Sequence, residues 1–207
     1  MTHLRPLAMC LAVALWTAPA QAADFSDPTW PCVQRKVESL SPGLMWPYPL
    51  DPETAPGTEA MGQDIAELAG YLSLRRVPLE DLEPRVTEFA EAYDGDAKAL
   101  GLVFGDVFDT LSKRRARIID GIADFSLGQI ALAEKIEEVR GEMTTILAAA
   151  EPDFDKVDAL EERLDWDQVI YTDRQRNITY LCETPTLIER RLFSIAQMLG
   201  QRVADDG

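Results

Sequence analysis

The chain has 207 residues, 46% of them hydrophobic, with 36 acidic against 20 basic side chains and a formal charge of −16. That apolar share is too high for a disordered tail, and the length suits one compact domain rather than a multi-domain enzyme. So acidic a surface repels phosphate backbones instead of releasing counterions from them, which argues against a nucleic-acid binder and for a protein partner with a cationic or apolar surface.

Residues 1–22 read as a bacterial signal peptide. Arg5 precedes an almost wholly apolar run from Leu7 to Trp16, and Ala20-Gln21-Ala22 supplies an A-x-A cleavage pattern. The run is too short for a membrane span, which needs roughly 20 residues, and no later stretch is long and charge-free enough either. Cys10 follows Leu7-Ala8-Met9 inside that run, without the small residue that precedes a lipidated cysteine. The expected location is therefore the periplasm or the exterior. Cleavage after Ala22 removes Arg5 and also His3, the only histidine. An exported chain without histidine has no Ser-His-Asp triad, no Cys-His nucleophile, no H-E-x-x-H zinc site and no imidazole proton shuttle. The expectation is a protein that is not an enzyme and needs no cofactor.

Cys32 and Cys182 remain, 150 positions apart in an oxidising compartment, and a single long-loop disulfide is the economical pairing. A redox pair or metal-thiolate site would call for C-x-x-C spacing and companion ligands, which are absent.

Residues 23–57 carry Pro28, Pro31, Pro42, Pro47, Pro49, Pro52 and Pro56 beside Phe25, Trp30, Met45, Trp46 and Tyr48. Such a segment cannot be a regular helix and is expected to wrap a helical body as an extended strap, its aromatics in grooves. The alternative is a proline-rich motif held out to a partner.

Residues 58–207 form the expected helical domain. Thr58 is a candidate N-cap for a helix with Ile65, Leu68 and Leu72 on one face. A second helix is expected from Pro78 to Tyr93, with Leu82, Val86, Phe89 and Ala90 as its stripe and Asp94-Gly95 as its stop. A 3-4 alternation follows: Phe104, Phe108, Leu111, Arg115, Ile118, Ile122, Phe125, Gln129, Leu132, Ile136, Val139, Met143 and Ile146. Glu151-Pro152-Asp153 interrupts it, and a second series takes over from Val157 through Leu164, Asp167, Tyr171, Ile178, Pro185 and Leu192 to Leu199. Sustained heptads of this kind predict a long antiparallel helical hairpin, coiled-coil-like, with arms over 96–150 and 154–203.

Folding about Glu151-Pro152 sets Phe104 opposite Leu199, Val139 opposite Leu164, Gln129 opposite Arg174 and Ile136 opposite Asp167, so polar seam residues meet as register-fixing layers. The two short helices can cover only the base of the hairpin, and the remainder is expected to protrude. Pinning Cys32 to Cys182 would clamp the strap midway along, near a helix break expected at Pro185.

Two charged clusters are candidate sites. Asp153, Asp155, Asp158, Glu161 and Glu162 crowd the tip and are the expected partner-binding surface. The run Lys113-Arg114-Arg115-Ala116-Arg117 mainly suits salt bridges, with Lys113, Arg114 and Arg117 as an alternative docking patch. The tip acids lack the glycine-centred loop pattern of an EF-hand, and acids in a first helical turn are favoured by the macrodipole alone, so no metal site is assigned. In outline the expected architecture has the look of exported helical-hairpin chaperones and adaptors, an analogy of fold only, and the L-T-x-x-Q motif of one such chaperone group is absent. The functional expectation is an exported helical protein acting through its hairpin surface, as a periplasmic chaperone or an accessory subunit of an envelope complex. The alternative is an acidic metal-responsive or metal-buffering protein.

Overall fold

The computed structural model describes residues 27–51 and 53–204. The signal-peptide segment, Cys10 and Phe25 lie outside the described residues. After the strap come four helices: α1 (Glu59–Leu72), α2 (Glu83–Ala92), α3 (Ala97–Leu147) and α4 (Phe154–Gly200). The protein is all-α, and α3 and α4 pack along each other as a helical hairpin whose 51-residue first arm is about 75 Å long at 1.5 Å per residue.

Helix starts follow local chemistry. The Thr58 hydroxyl accepts from the Met61 N–H, and the Asp96 and Asp153 carboxylates accept from the N–H groups of Lys98 and Lys156, each satisfying a donor left unpaired in a first turn. The second helix begins later than its sequence suggests. Glu80–Leu82 is a 3-10 turn, and Pro84 rather than Pro78 occupies the first α-helical turn. The Val77 N–H is bonded to the Leu74 carbonyl and the Val77 carbonyl accepts from Arg191, so the chain before Pro78 is held as a turn. Asp94 and Gly95, at φ 53° and 66°, end α2 in the left-handed region. A Cβ on Gly95 would stand 2.8 Å from the Ala204 nitrogen, which donates to the Gly95 carbonyl, so the segment after α4 closes against this corner.

The main core lies at the hairpin base. Ile65, Leu68 and Leu72 of α1 and Val86 and Phe89 of α2 pack with Leu100, Phe104, Leu111, Ile188, Leu192 and Leu199. Trp46 of the strap is buried in this core, stacked on Phe104 at 5.4 Å between centroids and 15° between planes. A smaller cluster sits further out, where Trp30 and Cys32 meet Ile119, Ile122 and Cys182. The Cys32 and Cys182 sulfurs lie at bonding distance, with Cα atoms 5.5 Å apart. The strap is also held to α3 by a hydrogen bond from Ser126 Oγ to the Pro28 carbonyl (2.6 Å) and braced internally by one from Trp30 Nε1 to the Gln34 carbonyl (2.6 Å). With Trp30 and Trp46 both buried, these aromatics fill grooves in the protein's own body rather than facing a partner.

The break expected at Pro185 does not occur: α4 runs unbroken through it. Proline removes the bond to the Leu181 carbonyl and costs a free-standing helix about 3 kcal/mol. Here tertiary packing outweighs that cost, because Pro185 is buried in the seam between buried Cys182 and buried Ile188.

Candidate functional site

The strap reaches outward along the hairpin as far as the Pro28–Ser126 bond. On another flank, Arg114 of α3 donates to the Ser73 carbonyl and Arg191 of α4 to the carbonyls of Leu72 and Val77, marking where the end of α1 and the following turn lie against the hairpin. Beyond these attachments, among the described residues, the two arms pack only on each other.

Within that projecting half the seam is thin but specific. Ile136, Val139, Val157 and Leu160 are buried. Asp167 is also buried, and Lys135 Nζ reaches its two carboxylate oxygens at 3.0 and 2.8 Å, with Arg163 at 3.9 Å. The polar layer expected from Gln129 and Arg174 takes a different form: Gln129 Nε2 donates to the Tyr171 carbonyl at 3.2 Å. Arg174 lies exposed instead of in the seam, and the buried Gln129 Oε1 has no partner among the described residues.

The tip acids Asp153, Asp155, Asp158, Glu161 and Glu162 are all exposed. Asp153 doubles as the α4 cap, and Lys156 crosses to Glu142 of α3 at 2.8 Å, a pairing that raises the lysine pKa above its ordinary value through hydrogen bond and charge together. Between Asp120 and Leu181 the chain carries fifteen acidic and six basic residues, a local balance of −9. Among the described residues no three Asp, Glu, Cys or His side chains gather as a metal site would require.

The basic run divides. Arg115 is buried against Glu189, Lys113 pairs with Asp109 at 3.3 Å, Arg114 holds the Ser73 carbonyl, and Arg117 is exposed. Arg114 therefore serves the base of the fold, which leaves Lys113 and Arg117 as the outward-facing members of the alternative docking patch.

A feature that sequence reasoning missed is apolar. Trp166, Val169 and Ile170 of α4 stand open to solvent beside the tip, Trp166 with 64% of its surface exposed, and Phe154 at the start of the same helix is equally open. Trp166, Ile170, Asp173, Asn177, Tyr180, Thr184, Leu187 and Arg191 form a second 3-4 row along α4, one step round from the seam. Arg191, at its inner end, is the residue bonded to the end of α1. The row is therefore covered at the base and carries exposed Leu187, Tyr180, Ile170 and Trp166 outward. The sequence held the signal in the 3-4 spacing of these large residues, but the continuous heptads of the seam mask it.

No family model matches the chain, and no curated protein or solved structure matches it either. The fold defines an all-α protein built on a long antiparallel helical hairpin, and no helix among the described residues is long and apolar enough to cross a membrane.

Proposed function

We propose that this is an exported, non-enzymatic protein that works through the surface of its projecting hairpin, as a periplasmic chaperone or as an adaptor subunit of an envelope complex. The observation that carries this is the open apolar group of Trp166, Val169 and Ile170 next to a strongly acidic tip, on the half of the hairpin that neither the short helices nor the described part of the strap covers. Contiguous exposed apolar side chains rimmed by charge mark protein-binding surfaces. The acids add attraction for a cationic partner that is screened by salt over a Debye length of roughly 8 Å at physiological ionic strength. Export is supported by the leader pattern of residues 1–22 and by a cysteine pair at bonding distance, since disulfides persist in oxidising compartments. The lack of histidine after residue 3 supports a role without imidazole chemistry.

The test compares the native protein with two variants, one carrying Asp153→Asn, Asp155→Asn, Asp158→Asn, Glu161→Gln and Glu162→Gln, the other Trp166→Ser with Ile170→Ser. Capture of envelope proteins and suppression of aggregation of a chemically denatured client are measured at low salt. Both variants should keep the native helical content and melt and lose capture or suppression. Unchanged activity in both would move the working surface to the strap or to Lys113 and Arg117.

A further inference from the structure

At the opposite end of the molecule, a cleft of about 1030 Å³ opens between the strap, the first turns of α3 and Val203-Ala204 after α4. Its apolar surface includes Tyr48 and Leu50 of the strap and Leu102 and Phe108 of α3. The face of α3 here is made low by Gly101 and Gly105. A Cβ on Gly101 would touch Leu50 at 3.4 Å, and one on Gly105 would meet nothing within 4 Å, so Gly105 leaves open floor. The charged lining is one-sided: Asp51, Asp94, Asp96, Asp106 and Asp109 against Lys98 alone. Asp51 and Asp96 cap backbone N–H groups, and Asp109 shares Lys113 in a pair whose members are both largely exposed. Asp106 is exposed at the cleft and has neither ion pair nor hydrogen bond among the described residues, and partial desolvation, then the charge of Asp109, raises its pKa above the ordinary carboxylate value. Uncompensated carboxylates beside an apolar wall focus a negative potential into the cleft.

The strap wall adds a second feature. Residues 47–50, Pro-Tyr-Pro-Leu, are without helix or strand and make no backbone hydrogen bond to the rest of the described chain. The chain bends at Tyr48, and with Pro47 and Pro49 lacking an N–H, Tyr48 and Leu50 are the two residues of this stretch with a backbone donor left for a bound chain. The cleft also sits at the upper end of the roughly 300–1,000 Å³ that small-molecule pockets occupy, so a lone small cation would leave most of it to water.

We propose that this cleft binds a basic peptide segment of a partner protein, its Lys or Arg side chains on Asp106, Asp109 and Asp51 and an intervening apolar side chain against Tyr48, Leu102 and Phe108. The site is separate from the hairpin tip and does not depend on the role assigned there.

The experiment titrates the purified full-length protein into a fluorescein-labelled peptide of alternating Lys and Leu and follows anisotropy. The expected result is saturable one-to-one binding that weakens with salt, with no binding of the matching Glu/Leu peptide. Asp106→Asn with Asp109→Asn should weaken it about ten-fold, as two ion pairs of ordinary surface strength imply. Gly105→Leu fills the floor while raising helix propensity, so it should fold at least as stably and bind more weakly. The five-fold tip neutralisation removes the other acidic surface that would attract this peptide, and the saturable cleft binding should persist in that variant. Binding that survives both cleft changes, binding abolished by the tip variant, or equal displacement by spermine would each overturn the proposal, the last by showing that charge alone is recognised. Absence of both capture and suppression in the native protein, with cleft binding intact, would count only against the function assigned to the hairpin.

Discussion

Arg115 stands at a seam position where the heptads call for an apolar side chain, and it is buried to 3% exposure. Its guanidinium reaches one Glu189 oxygen through Nε at 2.8 Å and Nη2 at 2.7 Å, and Nη1 lies 3.5 Å from the Glu38 carbonyl. One side chain thereby ties α3, α4 and the strap together. Arg115→Ala should lower the unfolding free energy by about 2–3 kcal/mol, read as a shifted denaturant midpoint. That lies at the lower edge of the range for buried pairs, because the Glu189 side chain keeps 32% of its exposure and water relieves part of the loss. Combining Arg115→Met with Glu189→Leu should recover most of it; no recovery would mean that the strap contact, not the ion pair, dominates. Asp106 gives a pH signature of opposite sign. Its folded-state pKa is raised above 3.8, so ionising it costs the folded protein stability, fully so above the raised value and not at all below 3.8, where the group is protonated in both states. Asp106→Asn should therefore raise the melting temperature at neutral pH and lose that advantage as the solution is acidified through this window.

At the scale of elements, the pairing of α3 with α4 was legible to within a residue or so. Arg115 meets Glu189 and Lys135 meets Asp167, close to the partners that folding about Glu151-Pro152 assigns. Register is readable because 3-4 spacing leaves each arm one apolar seam and a short turn leaves little slack between them. Side-chain reach was not readable: Gln129 takes the Tyr171 carbonyl, and Lys156 crosses to Glu142 near the turn. Nor was the continuity of α4 at Pro185, since local propensity favours a break and only burial in the seam overrides it. The buried Asp167 permits a sharp test. Lys135→Met should destabilise the outer hairpin by about 1–2 kcal/mol by leaving a buried carboxylate with only distant Arg163. Adding Asp167→Leu should restore stability, as measured by hydrogen exchange in the outer halves of α3 and α4. A double variant less stable than the single would mean that Asp167 has a favourable partner other than Lys135.

Across the whole molecule, the Cys32–Cys182 link joins the start of the strap to the middle of α4 over a separation of 150 residues. Closing so long a loop restricts the unfolded chain by about 5 kcal/mol in the chain-entropy account. Neither cysteine should react with a thiol reagent before reduction, and reduction should lower the melting temperature markedly while leaving helical content in the cold nearly intact. Two reactive thiols in the freshly isolated protein would refute the link. The base should melt last, because α1, α2, Trp46 and both arms share one core there. The outer hairpin, resting on one seam, should exchange amide protons first.

From residue order alone came the helical class, the long hairpin and its approximate register, the strap with buried tryptophans and the pairing of Cys32 with Cys182. All follow from local periodicity, proline placement or the arithmetic of two cysteines, which need no knowledge of distant neighbours. Tertiary structure alone decided that α4 survives Pro185, that Arg114 and Arg191 hold the end of α1, that Trp166 and Ile170 remain uncovered, and that Asp106 faces a cleft lined by the strap. Each of these depends on which surfaces are left over once the core has packed. That remainder is set by the joint geometry of segments far apart in the chain, and no local spacing rule records it.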